Sequence, residues 1–142
     1  GFHTTMIESS MSVNDRMPQY CVDRISKMLN SVKKPINGSK VLVLGVAYKN
    51  NIDDYRESPA LDVIDILKSY DADVKFYDSF VPTYKYKGLD ELTDEILEEA
   101  DITVILTAHT NIDYKNVVEK SKLVFDTRNA TQGIEAENLE VL

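Results

Sequence analysis

With 142 residues, 43% of them apolar, the chain is sized for one compact domain with its own core. Its net charge of −8 argues against nonspecific binding to nucleic acid or to an anionic membrane, both of which need clustered Lys and Arg. The single cysteine excludes an internal disulfide, and no run of about 18 apolar residues marks a membrane span.

No signal-peptide pattern is present, so the chain reads as cytoplasmic; because it opens on Gly1 rather than Met, it reads as a piece of a longer or processed protein. Residues 5–32 place Met6, Val13, Met17, Cys21, Ile25, Met28 and Leu29 among polar neighbours, which predicts one long amphipathic helix with a bend at Pro18. Such a helix leaves apolar side chains in water unless it packs on something. Lys33 and Lys34 bring cations to its negative end, and Pro35, Asn37 and Gly38 supply turn residues. The boundary is therefore placed here, with residues 1–36 as a helical arm and 37–142 as the domain proper.

Residues 41–47, with Gly45 among them, are apolar and rich in β-branched side chains, as in a strand covered on both faces. A charged loop, 48–57, follows. Ser58 then serves as N-cap and Pro59 as first residue of a helix carrying Ala60, Leu61, Val63, Ile64, Ile66 and Leu67 on its apolar face. Beyond it, 73–77 reads as a strand, 79–88 as a polar surface loop with three aromatics and 89–99 as a helix. Strand 102–106, short helix 114–120, strand 123–125 and a last candidate strand 139–142 complete the pattern. The alternation predicts an α/β, Rossmann-like three-layer domain with a mostly parallel sheet, preceded by the long N-terminal helix.

Ligands of open α/β sheets bind beyond the carboxyl ends of the strands, so the loop after the first strand is the expected site. That turn lacks G-x-G-x-x-G, having Gly45 alone, and a nucleotide held by side-chain cations suits it better than a dinucleotide held by backbone. Lys49 is the first candidate, since a flexible ammonium here reaches a diphosphate or sugar hydroxyls; the plainer assignment is a solvated lysine. Arg128 is the second: it follows the strand at 123–125, hence lies at the same sheet edge, and its guanidinium can grip phosphate bidentately. Its plainer role is a structural pair with Asp126 or Asp54. Asp126 and Asn129 read as orienting or capping groups.

Asp53, Asp54, Arg56 and Glu57 read as an ion-pair lattice fixing the loop, and no metal is expected there. His3 and His109 have no partner at ligand spacing; His109 follows a strand toward the ligand edge and reads by default as a polar loop histidine. Cys21 reads as a buried structural thiol.

Residues 41–61, together with Val13-Asn14-Asp15-Arg16-Met17-Pro18, 100–107 and 124–129 in that order, resemble the C-terminal domain of the NAD-dependent nucleotide-sugar 6-dehydrogenases. This family includes UDP-glucose, GDP-mannose and UDP-N-acetylmannosamine dehydrogenases, and the likeness covers most of residues 10–130. It implies that an N-terminal domain of the parent holds NAD while this domain holds the UDP part of the substrate. The family counterpart of Lys49 contacts the nucleotide sugar, and Tyr48 takes a place held by Phe or Tyr, contributing backbone polar groups or simple packing.

The family nucleophile, a cysteine in Gly-Gly-x-Cys-x-Pro, has no match here. Cys21 is not that residue, no catalytic residue is assigned, and the chain is expected to be inactive alone. The reaction implied for the parent is oxidation of the sugar C6 hydroxyl to a carboxylate with two NAD, through a thiohemiacetal and a thioester on that cysteine. The arm corresponds to the central helix and dimer core, which implies a homodimer through the N-terminal helix. Residues 51–60 look like the UDP-N-acetylmannosamine branch. The competing expectation is a noncatalytic α/β binding or dimerisation module for another phosphorylated ligand.

Overall fold

Val41 to Leu44 are four consecutive apolar residues with no polar face, so the strand they form is stable only inside a sheet covered on both sides. The computed structural model places them there; it describes the backbone of residues 2–142 and the side chains of residues 16–142. The elements are α1 (Phe2–Ser31), β1 (Lys40–Leu44), α2 (Pro59–Ser69), β2 (Asp73–Tyr77), α3 (Asp94–Glu99), β3 (Ile102–Ile105), α4 (Tyr114–Lys120), β4 (Val124–Asp126) and β5 (Leu139–Val141). The described strands make one sheet in the order β2-β1-β3-β4-β5, every pair parallel. This is the expected α/β architecture, with a sheet that is wholly rather than mostly parallel.

Strand alternation divides the core. Val41 and Val43 of β1 with Ile102 and Val104 of β3 meet α1 and α2, whereas Leu42, Leu44 and Ile105 meet Leu97 and Ala100 at α3 and Val117 and Val118 of α4. The helical stripe is covered from Cys21 onward: Cys21, Val22, Ile25, Met28 and Leu29 belong to the same buried cluster as β1 and α2. Met17, expected on that stripe, is 39% exposed. Met6 and Val13 lie outside the described side chains, as do His3, Asn14 and Asp15.

Several boundaries differ from the sequence reading, each for a local reason. Helix α1 ends at Ser31, before the lysines. Lys33 takes the left-handed conformation that usually goes to Gly, and Lys33 and Lys34 N–H groups close the helix on Asn30 and Leu29 carbonyls at 2.9 and 3.0 Å. The Lys34 ammonium reaches Asp101 Oδ1 at 2.6 Å instead of lying along the helix end. Strand β1 stops at Leu44, because Gly45 has φ +88° and turns the chain; a Cβ there would lie 2.5 Å from Thr107 Cβ.

The expected helix 89–99 is shortened to α3. Thr93 caps it through Oγ1, which accepts the Ile96 N–H at 3.2 Å, while Leu89 N–H is taken by the Phe76 carbonyl at 2.8 Å. Leu89 and Leu92 still pack on the core from irregular backbone. Segment 79–88 is the irregular surface loop expected, with Ser79, Pro82, Thr83, Lys85 and Lys87 exposed, but its aromatic side chains turn toward the core. Val81 is buried, and Tyr84 stacks among Tyr55, Phe76 and Tyr86 with ring centroids 5.7, 5.2 and 5.8 Å away.

Candidate functional site

The carboxyl ends of β1, β2 and β3 converge on one buried carboxylate. Asp78, immediately after β2 and 2% exposed, accepts the Val46 and Ala47 N–H groups on Oδ2 at 2.8 and 3.0 Å, and the Phe80 and Val81 N–H groups on Oδ1 at 2.8 and 3.1 Å. The Val46 and Ala47 amides are those that a dinucleotide fold offers to a pyrophosphate after its first strand. Here they already hold an anion. With both amides taken by Asp78, the corner does not fit a pyrophosphate bound through backbone.

His109, 1% exposed, completes the arrangement: its Nε2 lies 2.9 Å from Asp78 Oδ2, and its Nδ1 accepts the Asn51 N–H at 2.7 Å. His109 is a loop residue as expected, but a buried and hydrogen-bonded one rather than a solvated one. It faces inward, with its ring 4.7 Å from that of Phe80. Asn50 Oδ1 accepts the Ala108 N–H at 3.1 Å and Asn51 Oδ1 accepts the Thr110 N–H at 3.0 Å, so the loop after β1 is laced to the loop after β3. Tyr48 N–H donates to the Asp54 carbonyl at 2.7 Å and closes the first loop on itself. Ser58 caps α2 by accepting the Ala60 N–H at 3.3 Å.

Two adjoining clefts open at the start of α2. Tyr48, Glu57, Asp62 and Asp65 border one of about 690 Å³, whereas Cys21, Leu106, Thr127 and Arg128 border the other, of about 230 Å³; Met17, Pro18 and Pro59 line both. Tyr48 is 41% exposed, and the Lys49 ammonium lies 5.8 Å from its ring centroid. Tyr48 and Arg128 thus border neighbouring clefts, and Lys49 projects from the exposed loop outside both linings.

The structural pairing weighed for Arg128 is not what holds it. Its Nε donates to the Leu106 carbonyl at 3.0 Å. Asp126 instead accepts the Arg128 N–H at 2.9 Å and both the N–H and hydroxyl of Thr131 at 2.8 and 2.6 Å, which makes it the cap of its loop. Asp54 pairs with Arg56 at 3.1 Å on the surface, a single pair where a lattice with Asp53 and Glu57 was expected. Burial pushes the Cys21 thiol up, against smaller opposing effects of Arg24 and Arg128, as suits a structural residue. Among the described residues no three of His, Cys, Asp and Glu converge as a metal would require, and no helix is long and apolar enough to cross a membrane.

Asp78, His109, Asn50 and Asn51 were not among the expected site residues. The signals available were an Asp directly following a predicted strand at the ligand edge, as Asp126 also does, and the place of His109 after the strand at 102–106.

A family model described as "UDP-glucose/GDP-mannose dehydrogenase family, UDP binding domain" matches residues 42–133. A UDP-N-acetyl-D-mannosamine dehydrogenase of Methanocaldococcus jannaschii is 39% identical over 132 residues, which are 87% of this chain and 29% of that protein. Among solved structures, an NDP-N-acetyl-D-galactosaminuronic acid dehydrogenase from Methanosarcina mazei superposes with TM-score 0.78 at 26% identity, over 92% of this chain and 30% of that one. A UDP-D-ManNAc dehydrogenase from Pyrococcus horikoshii gives TM-score 0.76 at 26% identity, over 91% and 31%. The chain therefore spans about three-tenths of the length of these relatives. With the matched family segment running from β1 past β4 and containing every strand end that forms the corner, the chain belongs to the UDP-glucose/GDP-mannose dehydrogenase family and carries its UDP-binding domain.

Proposed function

We propose that this domain holds the UDP-sugar of an NAD-dependent nucleotide-sugar 6-dehydrogenase, with UDP-N-acetylmannosamine as the substrate. The observation that carries the reading is the filling of the backbone anion cradle by Asp78, which passes ligand binding to side chains at the rim. Lys49 and Arg128 are the cations for the diphosphate, with Tyr48 beside Lys49 as an exposed aromatic surface for the nucleotide sugar. The acidic lining of the larger cleft, Glu57, Asp62 and Asp65, suits hydroxyl groups, which donate to carboxylates.

Residues 1–36 are the end of the parent's central helical region, through which two copies pair, and residues 37–142 are the UDP-sugar-binding unit. NAD, which accepts hydride from the sugar C6 position, is held by another domain of the parent. The N-acetylmannosamine assignment rests on the 39% identical relative and on the loop sequence 51–60.

Calorimetric titration of the chain with UDP tests this directly. Lys49→Ala and Arg128→Ala each weaken UDP binding by about tenfold, the loss of one charge-assisted contact of about 1.4 kcal/mol. Unchanged affinity in both variants would refute the assignment even with the fold intact.

A further inference from the structure

Three consecutive residues of the loop after β3 hold two consecutive residues of the loop after β1. Ala108 N–H donates to Asn50 Oδ1, Asn51 N–H donates to His109 Nδ1, and Thr110 N–H donates to Asn51 Oδ1, at 3.1, 2.7 and 3.0 Å. The middle bond is the one whose existence depends on a proton, since it forms only with Nδ1 unprotonated. Because Nδ1 accepts from a backbone N–H, the ring's proton is on Nε2, where it is donated to the buried Asp78 carboxylate at 2.9 Å. Asp78 is itself fixed by four backbone N–H groups. The order is thus Asp78 to His109 to Asn51, two residues from Lys49.

Asn51 has φ +60°, a left-handed conformation that Asn tolerates but that an unanchored loop does not keep. We infer that His109 is a positioning residue for nucleoside-diphosphate binding: held by Asp78 as the Nε2–H tautomer, it fixes Asn51 and so presents Lys49 at the substrate edge. The inference rests on the UDP reading for its consequence, though not for its geometry. A loop that populates the competent arrangement a tenth of the time binds about tenfold more weakly, which is the size of effect expected.

Ring-nitrogen NMR of the unaltered, ligand-free chain tests the tautomer without any variant; a His109 protonated on Nδ1 overturns the inference outright. Hydrogen exchange then tests the coupling. His109→Phe keeps a ring beside Phe80 but loses both nitrogens, and accelerates exchange of the Asn51 amide at least about tenfold relative to Val43 in β1, with partial restoration in His109→Gln. An Asn51 amide as protected in His109→Phe as in the parent chain overturns the inference, as does one that His109→Gln fails to protect better.

With UDP, His109→Phe weakens binding about tenfold, but in a Lys49→Ala background it adds less than about threefold, since the two act through one contact. Losses that simply multiply would show a general structural role and overturn the inference. A chain that binds no UDP at all refutes the proposed function, while tautomer and exchange still decide the positioning.

Discussion

Asp78 Oδ2 lies 2.8 Å from the backbone nitrogen of Val46, at the point where a dinucleotide fold places a phosphate. One residue after β2 thus supplies in cis the anion that the turn after β1 would otherwise take from a ligand. The carboxylate also links three strand ends, through Ala47, His109 and the Phe80–Val81 turn.

Replacing Asp78 by Asn keeps the shape but puts an NH₂ group against N–H donors. The loss expected is about 3 kcal/mol, the scale for breaking a buried, charge-assisted network. Urea denaturation checks it: the midpoint falls with an unchanged slope. A midpoint within error of the parent's would show that the five contacts are not what holds the corner.

Gly45→Ala and Gly38→Ala form a matched pair. Both positions have positive φ, but a Cβ at Gly38 meets nothing within 4 Å whereas one at Gly45 meets Thr107 at 2.5 Å. Thermal unfolding of Gly38→Ala therefore shows about 1 kcal/mol of destabilisation, for backbone strain alone, and Gly45→Ala shows about 3 kcal/mol or more, strain plus overpacking. Equal losses would mean that the approach to Thr107 is soft.

The contrast between these residues and the rest shows what the sequence could disclose. Ser58, Pro59 and the apolar spacing of α2 act within one element, and 73–77 and 114–120 are bounded by local signals; all were legible. Gly45 was visible, but its role as the end of β1 depends on Thr107, far along the chain. Asp78 and His109 are 31 residues apart, and no spacing rule foretells that two polar residues from successive strand ends will be buried against each other. Segment 79–88 looked polar, yet the partners that draw Tyr84 inward, Tyr55 and Phe76, lie on other elements. Lys49 and Arg128 were legible as cations in the loops that follow two strands, whereas Arg128's anchoring on the Leu106 carbonyl required the fold.

Asp101 sets a pH dependence. Burial raises its pKa, but the Lys34 ammonium at 2.6 Å and the Lys40 N–H at 2.8 Å, with Lys122 more distant, outweigh burial and hold the carboxyl below its usual range. Protonation therefore favours the unfolded chain. The stabilisation is complete above the unfolded value of about 3.9 and is lost as pH falls through the folded value. Stability curves between about pH 5 and pH 2 fall less steeply in Lys34→Met than in the parent chain. Parallel curves would show that the pair adds nothing to acid sensitivity.

Titration of the chain with UDP and, separately, with NAD, followed through backbone amide shifts, tests the central claim most directly. UDP should move residues 48–57 and 127–129 together, while NAD moves neither group. Shifts produced by NAD in place of UDP, or no response of either segment to millimolar UDP, would contradict the account.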